Sequence, residues 1–346
     1  MPTNKSTRNV IILNTLGGAL DHYSSALRSV LNETGTKVET ITIFEPSRSD
    51  GGSKQWLFSY IKSLATARRM KRASSNTELI VTWPLLGYLD SLIVGLLFGR
   101  NSCVVVHDTK PLVTAVGYGR VSQLLSSVSL RTVSLVIHST QARVDIENAR
   151  LRHAAILLPL PIHPLSQRRR ENEPRTAVRV VGQFKPDRDV EGLVEVARQL
   201  NGRLTLEIVG RKWPAVEGWA VRDAFVPEEE LDNLIETSTA IVIPYKRFYQ
   251  SAIAIRALER ETPIVGPAGT SLADLLGPDS GLLVRDSTDW ARAVGYATSP
   301  EGHDEVVAAA TAWREHSLTA WREAPPHSAR FAAAIGSAPI EPRSQL

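Results

Sequence analysis

Along this chain short runs of β-branched residues alternate with longer mixed segments, and the whole alternation occurs twice. In the first half the runs lie at residues 10–13, 38–43, 79–82, 103–107 and 134–138, with helical spacing near 21–32, 53–72, 87–98 and 141–149. The second half repeats the order, with runs at 178–181, 204–209, 240–243, 264–265 and 282–284 and helical segments near 189–200, 228–235, 251–260 and 271–276. Runs that are apolar throughout suit strands covered on both faces, and strand–helix alternation places such strands in parallel sheets of the α/β class. A length of 346 residues exceeds what one typical core holds. Between the halves, residues 158–174 carry Pro159, Pro161, Pro164 and Pro174 and the basic run Arg168, Arg169 and Arg170, a linker signal. Two doubly wound, Rossmann-like domains are therefore expected, over 1–165 and 166–300, their strand ends facing one cleft. Residues 301–346 are read as C-terminal helices and a tail that frays from Pro325 onward.

Charge divides the halves. Residues 1–170 hold 21 Lys and Arg against 10 Asp and Glu, whereas residues 171–346 hold 19 against 26. A basic first half favours an acidic partner surface on that half alone. No helix-turn-helix, zinc-finger or RNA-binding pattern accompanies it, so an anionic membrane or an acidic glycan is preferred and nucleic acid is not expected as a partner. The single cysteine, Cys103, sits in an apolar run and suits a reducing compartment. No signal peptide or membrane-spanning run is read, so the expected location is cytoplasmic.

Candidate chemistry sits where strands give way to helices. Gly182-Gln183-Phe184-Lys185-Pro186-Asp187-Arg188 follows one run and opens a helix. A glycine there permits a sharp turn, and Lys185 and Arg188 beside a helix N-terminus make a site for a diphosphate. A solvated basic loop is the alternative. A second turn, from Pro244 to Ser251, gathers Lys246, Arg247, Tyr249, Gln250 and Ser251, with Ser251 a candidate helix cap. Gly210 and Arg211 end a third run. In the first half Gly17 and Gly18 follow the first run without the spacing of a dinucleotide fingerprint. His107 and Asp108 end a later run, and Asp21 and His22 follow the glycines; either pair could act as base on an acceptor hydroxyl, or simply satisfy a strand end or a helix cap. His138 reads as a core residue. No metal-ligand spacing is found, so no metal is expected.

Residues 178–284 resemble the donor domain of GT-B glycosyltransferases of the large family that includes bacterial mannosyl- and glucosyltransferases. The resemblance runs in order through Gly182-Gln183-Phe184 with Pro186 and Arg188, Ile208-Val209-Gly210, Val226-Pro227-Glu228-Glu229-Glu230-Leu231, Ile243-Pro244-Tyr245, Thr262-Pro263-Ile264-Val265 and Gly281-Leu282-Leu283-Val284. The first half is similar more loosely, through Leu16-Gly17-Gly18, Asp21-His22-Tyr23, Val106-His107-Asp108 and Val136-Ile137-His138-Ser139. The resemblance implies a GT-B fold and a hexosyl transfer from a nucleoside diphosphate sugar, used as co-substrate with no further cofactor. The acceptor would be a glycan, a lipid-linked glycan or a small molecule. It also implies donor binding by Gly17, Gly18, Gly182, Lys185, Arg188, Gly210, Arg211, Tyr249, Gln250 and Ser251, and catalysis by His107, Asp108, Asp21 or His22. The chain departs from the family at its two glutamates, where Phe248 and Arg256 stand, and at its arginine–lysine pair, which falls on Gln183 and Arg188 with Lys185 as substitute. These changes mark a different sugar-binding mode or a chain with little activity. A nucleotide-sugar-binding partner subunit and a GT-B nucleotide-sugar epimerase are the alternatives to transfer.

Residues 54–72 are basic and aromatic, with Trp56, Tyr60 and Leu64 at helical spacing beside Leu57 and Ile61. Such a helix either lies on an anionic inner membrane face, making the protein peripheral, or packs Trp56, Leu57, Tyr60 and Ile61 on the sheet.

Overall fold

A computed structural model of the protein describes residues 8–45, 52–74, 76–109, 117–129, 133–148, 155–165, 175–200, 202–246 and 248–323. Arg247, the 166–174 part of the expected linker and the expected tail from Pro325 lie outside the described residues. The chain divides into two compact units, residues 1–138 with 142–158 and 318–346, and residues 139–141 with 159–317.

The first unit is built on six parallel strands: β1 (Asn9–Gly17), β2 (Lys37–Phe44), β3 (Thr77–Val81), β4 (Ser102–Val105), β5 (Ser134–Ile137) and β6 (Ala155–Leu157). Their order is β2-β1-β3-β4-β5-β6. The apolar centre of β1, Val10 to Leu13, and all of β3 are buried, as strands covered on both faces must be. β2 alternates polar and apolar residues, and its side chains are mostly exposed or half-buried at the sheet edge. Five helices begin in this part of the chain: α1 (Asp21–Glu33), α2 (Ser53–Ala73), α3 (Leu89–Phe98), α4 (Arg120–Ser129) and α5 (Thr140–Asn148). The Tyr60 hydroxyl of α2 donates to Asp90 Oδ1 of α3 at 2.7 Å, and Ser126 Oγ of α4 donates to the Tyr88 carbonyl at the start of α3 at 2.5 Å. These bonds set α2, α3 and α4 side by side. Because β1 is flanked by β2 and β3, the strand order reverses there, and a crevice opens between the C-terminal ends of β1 and β3.

The second unit repeats the plan with β7 (Ala177–Val181), β8 (Leu206–Val209), β9 (Ala220–Arg222), β10 (Ser238–Val242), β11 (Ile264–Pro267) and β12 (Leu283–Val284). The six strands are parallel in the order β12-β11-β10-β7-β8-β9, so the switch point lies between β7 and β10. Helices α6 (Val190–Leu200), α7 (Glu228–Glu236), α8 (Ala252–Glu259), α9 (Leu272–Leu276), α10 (Trp290–Ala297) and α11 (Pro300–Glu323) complete the described elements. The boundary between the units falls inside α11. Arg179 is buried in β7 with each of its three guanidinium nitrogens hydrogen-bonded. Nε donates to Glu207 at 2.7 Å, and Nη1 reaches Leu234 O, Thr237 Oγ1 and Ser238 Oγ at 3.1 Å each.

Candidate functional site

In the second unit, residues 182–189 leave β7 and enter α6. Gly182 turns the chain at a φ of +117°, a region that favours glycine. Its carbonyl accepts the Trp213 indole N–H at 2.7 Å. Lys185 is exposed, but Arg188 is only 7% exposed. Its guanidinium lies over the Tyr245 ring, 3.4 Å from the centroid, and Nη1 donates to Asp187 Oδ1 at 2.8 Å. Arg188 Nε is buried and donates to no described group. This loop is joined to the one that follows β10. Asp189 N donates to Pro244 O at 2.7 Å, Lys246 N donates to Asp187 O at 3.0 Å, and Arg188 bridges to Tyr245. The crevice-forming loops therefore act as one backbone assembly.

The end of β8 backs this assembly. A Cβ on Gly210 would collide with the Gly182 carbonyl, so glycine at 210 is required by the neighbouring strand end whatever the ligand. Arg211 is exposed, its guanidinium 5.3 Å from the Phe225 ring centroid, and its carbonyl accepts from Phe184 N at 2.9 Å.

After β10, Lys246 is exposed, Tyr249 is buried and Gln250 is half-buried. Ser251 Oγ accepts from Ala254 N at 3.2 Å, which makes Ser251 the N-cap of α8. The two helix starts differ in charge. Asp189 caps α6 with a carboxylate, accepting Gly192 N at 3.1 Å and the Trp290 indole at 3.0 Å, whereas a neutral hydroxyl caps α8. The first turn of α8 carries no acidic residue. The two departures from the family pattern are both occupied structurally. Phe248 is buried with its ring 5.6 Å from Tyr245, edge to face. Arg256 is buried and pairs with Glu228 and Asp232 on α7.

In the first unit, a Cβ on Gly17 would meet Thr42 at 2.6 Å, so β2 alone accounts for that glycine. Gly18 is buried with φ +94°. Asp21 is the first residue of α1, whose cap position, Leu20, makes no side-chain cap bond. The exposed Asp21 carboxylate accepts Asn14 Nδ2 at 3.0 Å, while His22 is half-buried. His107 is buried, with Nε2 2.9 Å from the Thr82 carbonyl. A carbonyl only accepts, so Nε2 carries the proton and Nδ1 is the basic nitrogen. Asp108, one residue on, is half-buried. His138 is fully internal. Nδ1–H donates to Leu158 O at 2.8 Å, which leaves Nε2 to accept the Tyr23 hydroxyl at 2.8 Å. Burial, with the neighbouring His107, pushes its pKa down to about 3, so it stays neutral.

Sequence reading missed Tyr245 as the platform under Arg188, Trp213 as the donor to Gly182, and Asn14 as the orienter of Asp21. Asp189 alone carried a signal, a carboxylate just before a helix. Among the described residues there is no group of three or more His, Cys, Asp or Glu able to hold a metal ion.

No protein-family model matches the chain, and no curated protein matches it in sequence. Solved structures do match along nearly its whole length. A trehalose-6-phosphate structure from E. coli bound with UDP-2-fluoro glucose is 10% identical with a TM-score of 0.61, over 96% of this chain and 100% of that one. An α,α-trehalose-phosphate synthase (UDP-forming) from Burkholderia vietnamiensis is 14% identical with a TM-score of 0.59, over 96% and 98%. The trehalose-6-phosphate phosphatase N-terminal domain of Candida albicans is 12% identical with a TM-score of 0.55, over 96% and 97%. At such identity the likeness speaks to architecture, and with two six-stranded parallel sheets that architecture is the GT-B fold.

Proposed function

We propose that the protein is a glycosyltransferase that takes a sugar from a nucleoside diphosphate sugar held by the second unit. The acceptor, a glycan, lipid-linked glycan or small molecule, is held by the first. The observation that carries this reading is the cationic β7/β10 switch point, where Lys185 and Lys246 are exposed and Arg188 Nε is a buried donor with no described acceptor. An unmatched buried N–H costs about 1–3 kcal/mol, which a phosphate oxygen would recover. As the sugar departs, negative charge develops on the nucleoside diphosphate, and cations aimed there lower the barrier. In the first unit Asp108, Asp21 and His22 have exposed or half-buried side chains suited to a hydroxyl acceptor, whereas His107 is buried with Nε2 turned to the Thr82 carbonyl. The places of the two family glutamates are filled by Phe248, packed on Tyr245, and Arg256, paired with Glu228 and Asp232. That observation favours a second reading, a subunit that binds nucleotide sugars without transferring them.

The basic side chains of α2, which carries no acidic residue, support a finer reading. The first unit attaches reversibly to an anionic inner membrane face and meets a lipid-linked acceptor there. Among the described residues no helix is long and apolar enough to cross a membrane.

The test is a thermal-shift and turnover screen of nucleotide sugars with candidate acceptors. A ligand at about 100 times its Kd stabilises the fold by about 2.7 kcal/mol. Release of nucleoside diphosphate only when acceptor is present supports transfer. Stabilisation without turnover supports the binding subunit, and interconversion of free nucleotide sugars an epimerase. No stabilisation by any nucleoside diphosphate or its sugars sinks the site as drawn.

A further inference from the structure

The first unit carries a surface that sugar transfer does not use. On α3 and α4 most of the exposed side chains among those described are apolar, Leu96 being 76% exposed, Val121 72%, Leu124 71% and Leu125 48%, beside the exposed Arg120 and Ser127. The two helices pack against each other, so these outer faces adjoin. The only acid on either helix, Asp90, is buried beneath Tyr60, and the only base is Arg120 at the start of α4. Next in the row is α2, with Arg68, Arg69 and Arg72 toward its C-terminal end and no acid. Its own outer face adds Phe58, 68% exposed, and Ile61, 57% exposed. The surface is thus an apolar ridge without an exposed acid on either helix, edged by Arg120 and flanked by the basic α2.

An exposed apolar patch of this kind marks a docking surface, and its flank decides the occupant. A second copy of the chain meeting ridge to ridge would bring two basic α2 helices together, and like charges oppose that contact. An anionic bilayer satisfies both parts, since headgroups take the arginines and the headgroup–acyl boundary takes the apolar side chains. We propose that the α3–α4 ridge, led by Leu96, Val121 and Leu124, enters an anionic membrane surface while α2 holds the headgroups. This rests on the membrane reading above and adds the element that inserts.

The test uses vesicles of equal parts phosphatidylglycerol and phosphatidylcholine, with the full chain. Leu96→Ser/Val121→Ser/Leu124→Ser removes the ridge, and Arg68→Gln/Arg69→Gln/Arg72→Gln removes the flank; all six side chains are exposed except the half-buried Arg68, and an unchanged melting temperature establishes that each variant is folded before it is scored. Raising salt from about 0.01 M to about 1 M shrinks the Debye length from about 30 Å to about 3 Å. The wild type is expected to retain a salt-resistant bound fraction. The serine variant loses that fraction, with a partition constant lower by more than about tenfold. A polarity-sensitive label on Leu124→Cys should shift to the blue on binding; the native Cys103 is buried, its thiol pushed up to about 12, and stays unlabelled. If the wild type and the serine variant bind alike and the label stays in water, the ridge proposal is overturned while membrane attachment stands. If the wild type ignores the vesicles even at low salt, both fall, and a sedimenting dimer lost in the serine variant then assigns the ridge to a second copy.

Discussion

At the β7/β10 switch point of the second unit Lys185 and Lys246 turn to solvent, while Arg188 is held by the Asp187 carboxylate and Asp189 is spent on capping α6; around β1, β3 and β4 of the first unit the candidate side chains are carboxylates and imidazoles, the latter half-buried or buried. The backbone plan is the same in both: parallel strands, a reversal of order, and loops joined across the reversal. In the first unit the Thr15 hydroxyl donates to the Trp83 carbonyl at 2.6 Å, doing for β1 and β3 what the Asp189–Pro244 bond does for β7 and β10. The difference lies in side chains placed on equivalent loops. Cations suit a leaving diphosphate, and carboxylates or imidazoles suit a hydroxyl that must lose a proton.

The largest expected effect breaks the comparison at its cationic side. Lys185→Ala with Arg188→Ala should weaken nucleoside diphosphate binding by about 1.5–3 kcal/mol per residue, read by calorimetry. Lys185→Ala alone should lower affinity without changing the melting temperature of the unliganded protein, because the side chain is exposed. Unchanged affinity in the double variant would move the diphosphate elsewhere. Next comes Gly210→Ala, which forces a Cβ into the Gly182 carbonyl and should cost about 3 kcal/mol in denaturant unfolding. A neutral outcome would mean that the two strand ends are looser than drawn.

A smaller effect concerns pH and the first unit. His138 titrates near 6.5 when unfolded and about 3 when folded, so between these values only the unfolded chain binds the proton and stability falls as pH drops. Asp90 has the opposite sign. Burial raises its carboxyl from 3.8 to about 6 against the lowering bonds from Tyr60 and the Leu86 amide, so the folded chain takes up the proton first and stability falls as pH rises. Between about pH 4 and about pH 6 the two slopes oppose, each at most about 1.4 kcal/mol per pH unit. His138→Gln should leave stability falling with pH across that window, and Asp90→Asn should leave it rising; the same slope in both variants would contradict the assignment. The smallest effect is Arg256→Ala. Its partners Glu228 and Asp232 have side chains 58% and 38% exposed, so water takes over their solvation and about 1 kcal/mol is lost. Nucleotide affinity should not change. If it falls, Arg256 reaches the ligand and is not committed to α7.

The alternation of apolar runs made both sheets legible, because strands such as β1 and β3 are buried on both faces and show it in composition. β6 and β9 were not foreseen. Each is three residues long at a sheet edge, too short for a period to register. α4 was missed for another reason: serines at 122, 126, 127 and 129 interrupt its apolar period, and Val121, Leu124 and Leu125 face outward. At the candidate site, residue types at strand ends could be read but their directions could not. Arg188 was expected to project and instead lies against Tyr245, a pairing made by loops that are distant in sequence. The helix at 53–72 follows neither sequence alternative fully, since Tyr60 is buried while Leu57 and Ile61 remain exposed.

The stitching of residues 187–189 to residues 244–246 has a consequence for kinetics. A loop that must be ordered by its ligand gains amide protection when the ligand arrives and slows association while it folds over. Here the Asp189 and Lys246 amides already have acceptors in the protein. Their hydrogen exchange should be slow before any nucleotide is added and change little afterwards, and a nucleoside diphosphate should associate as with a rigid jaw.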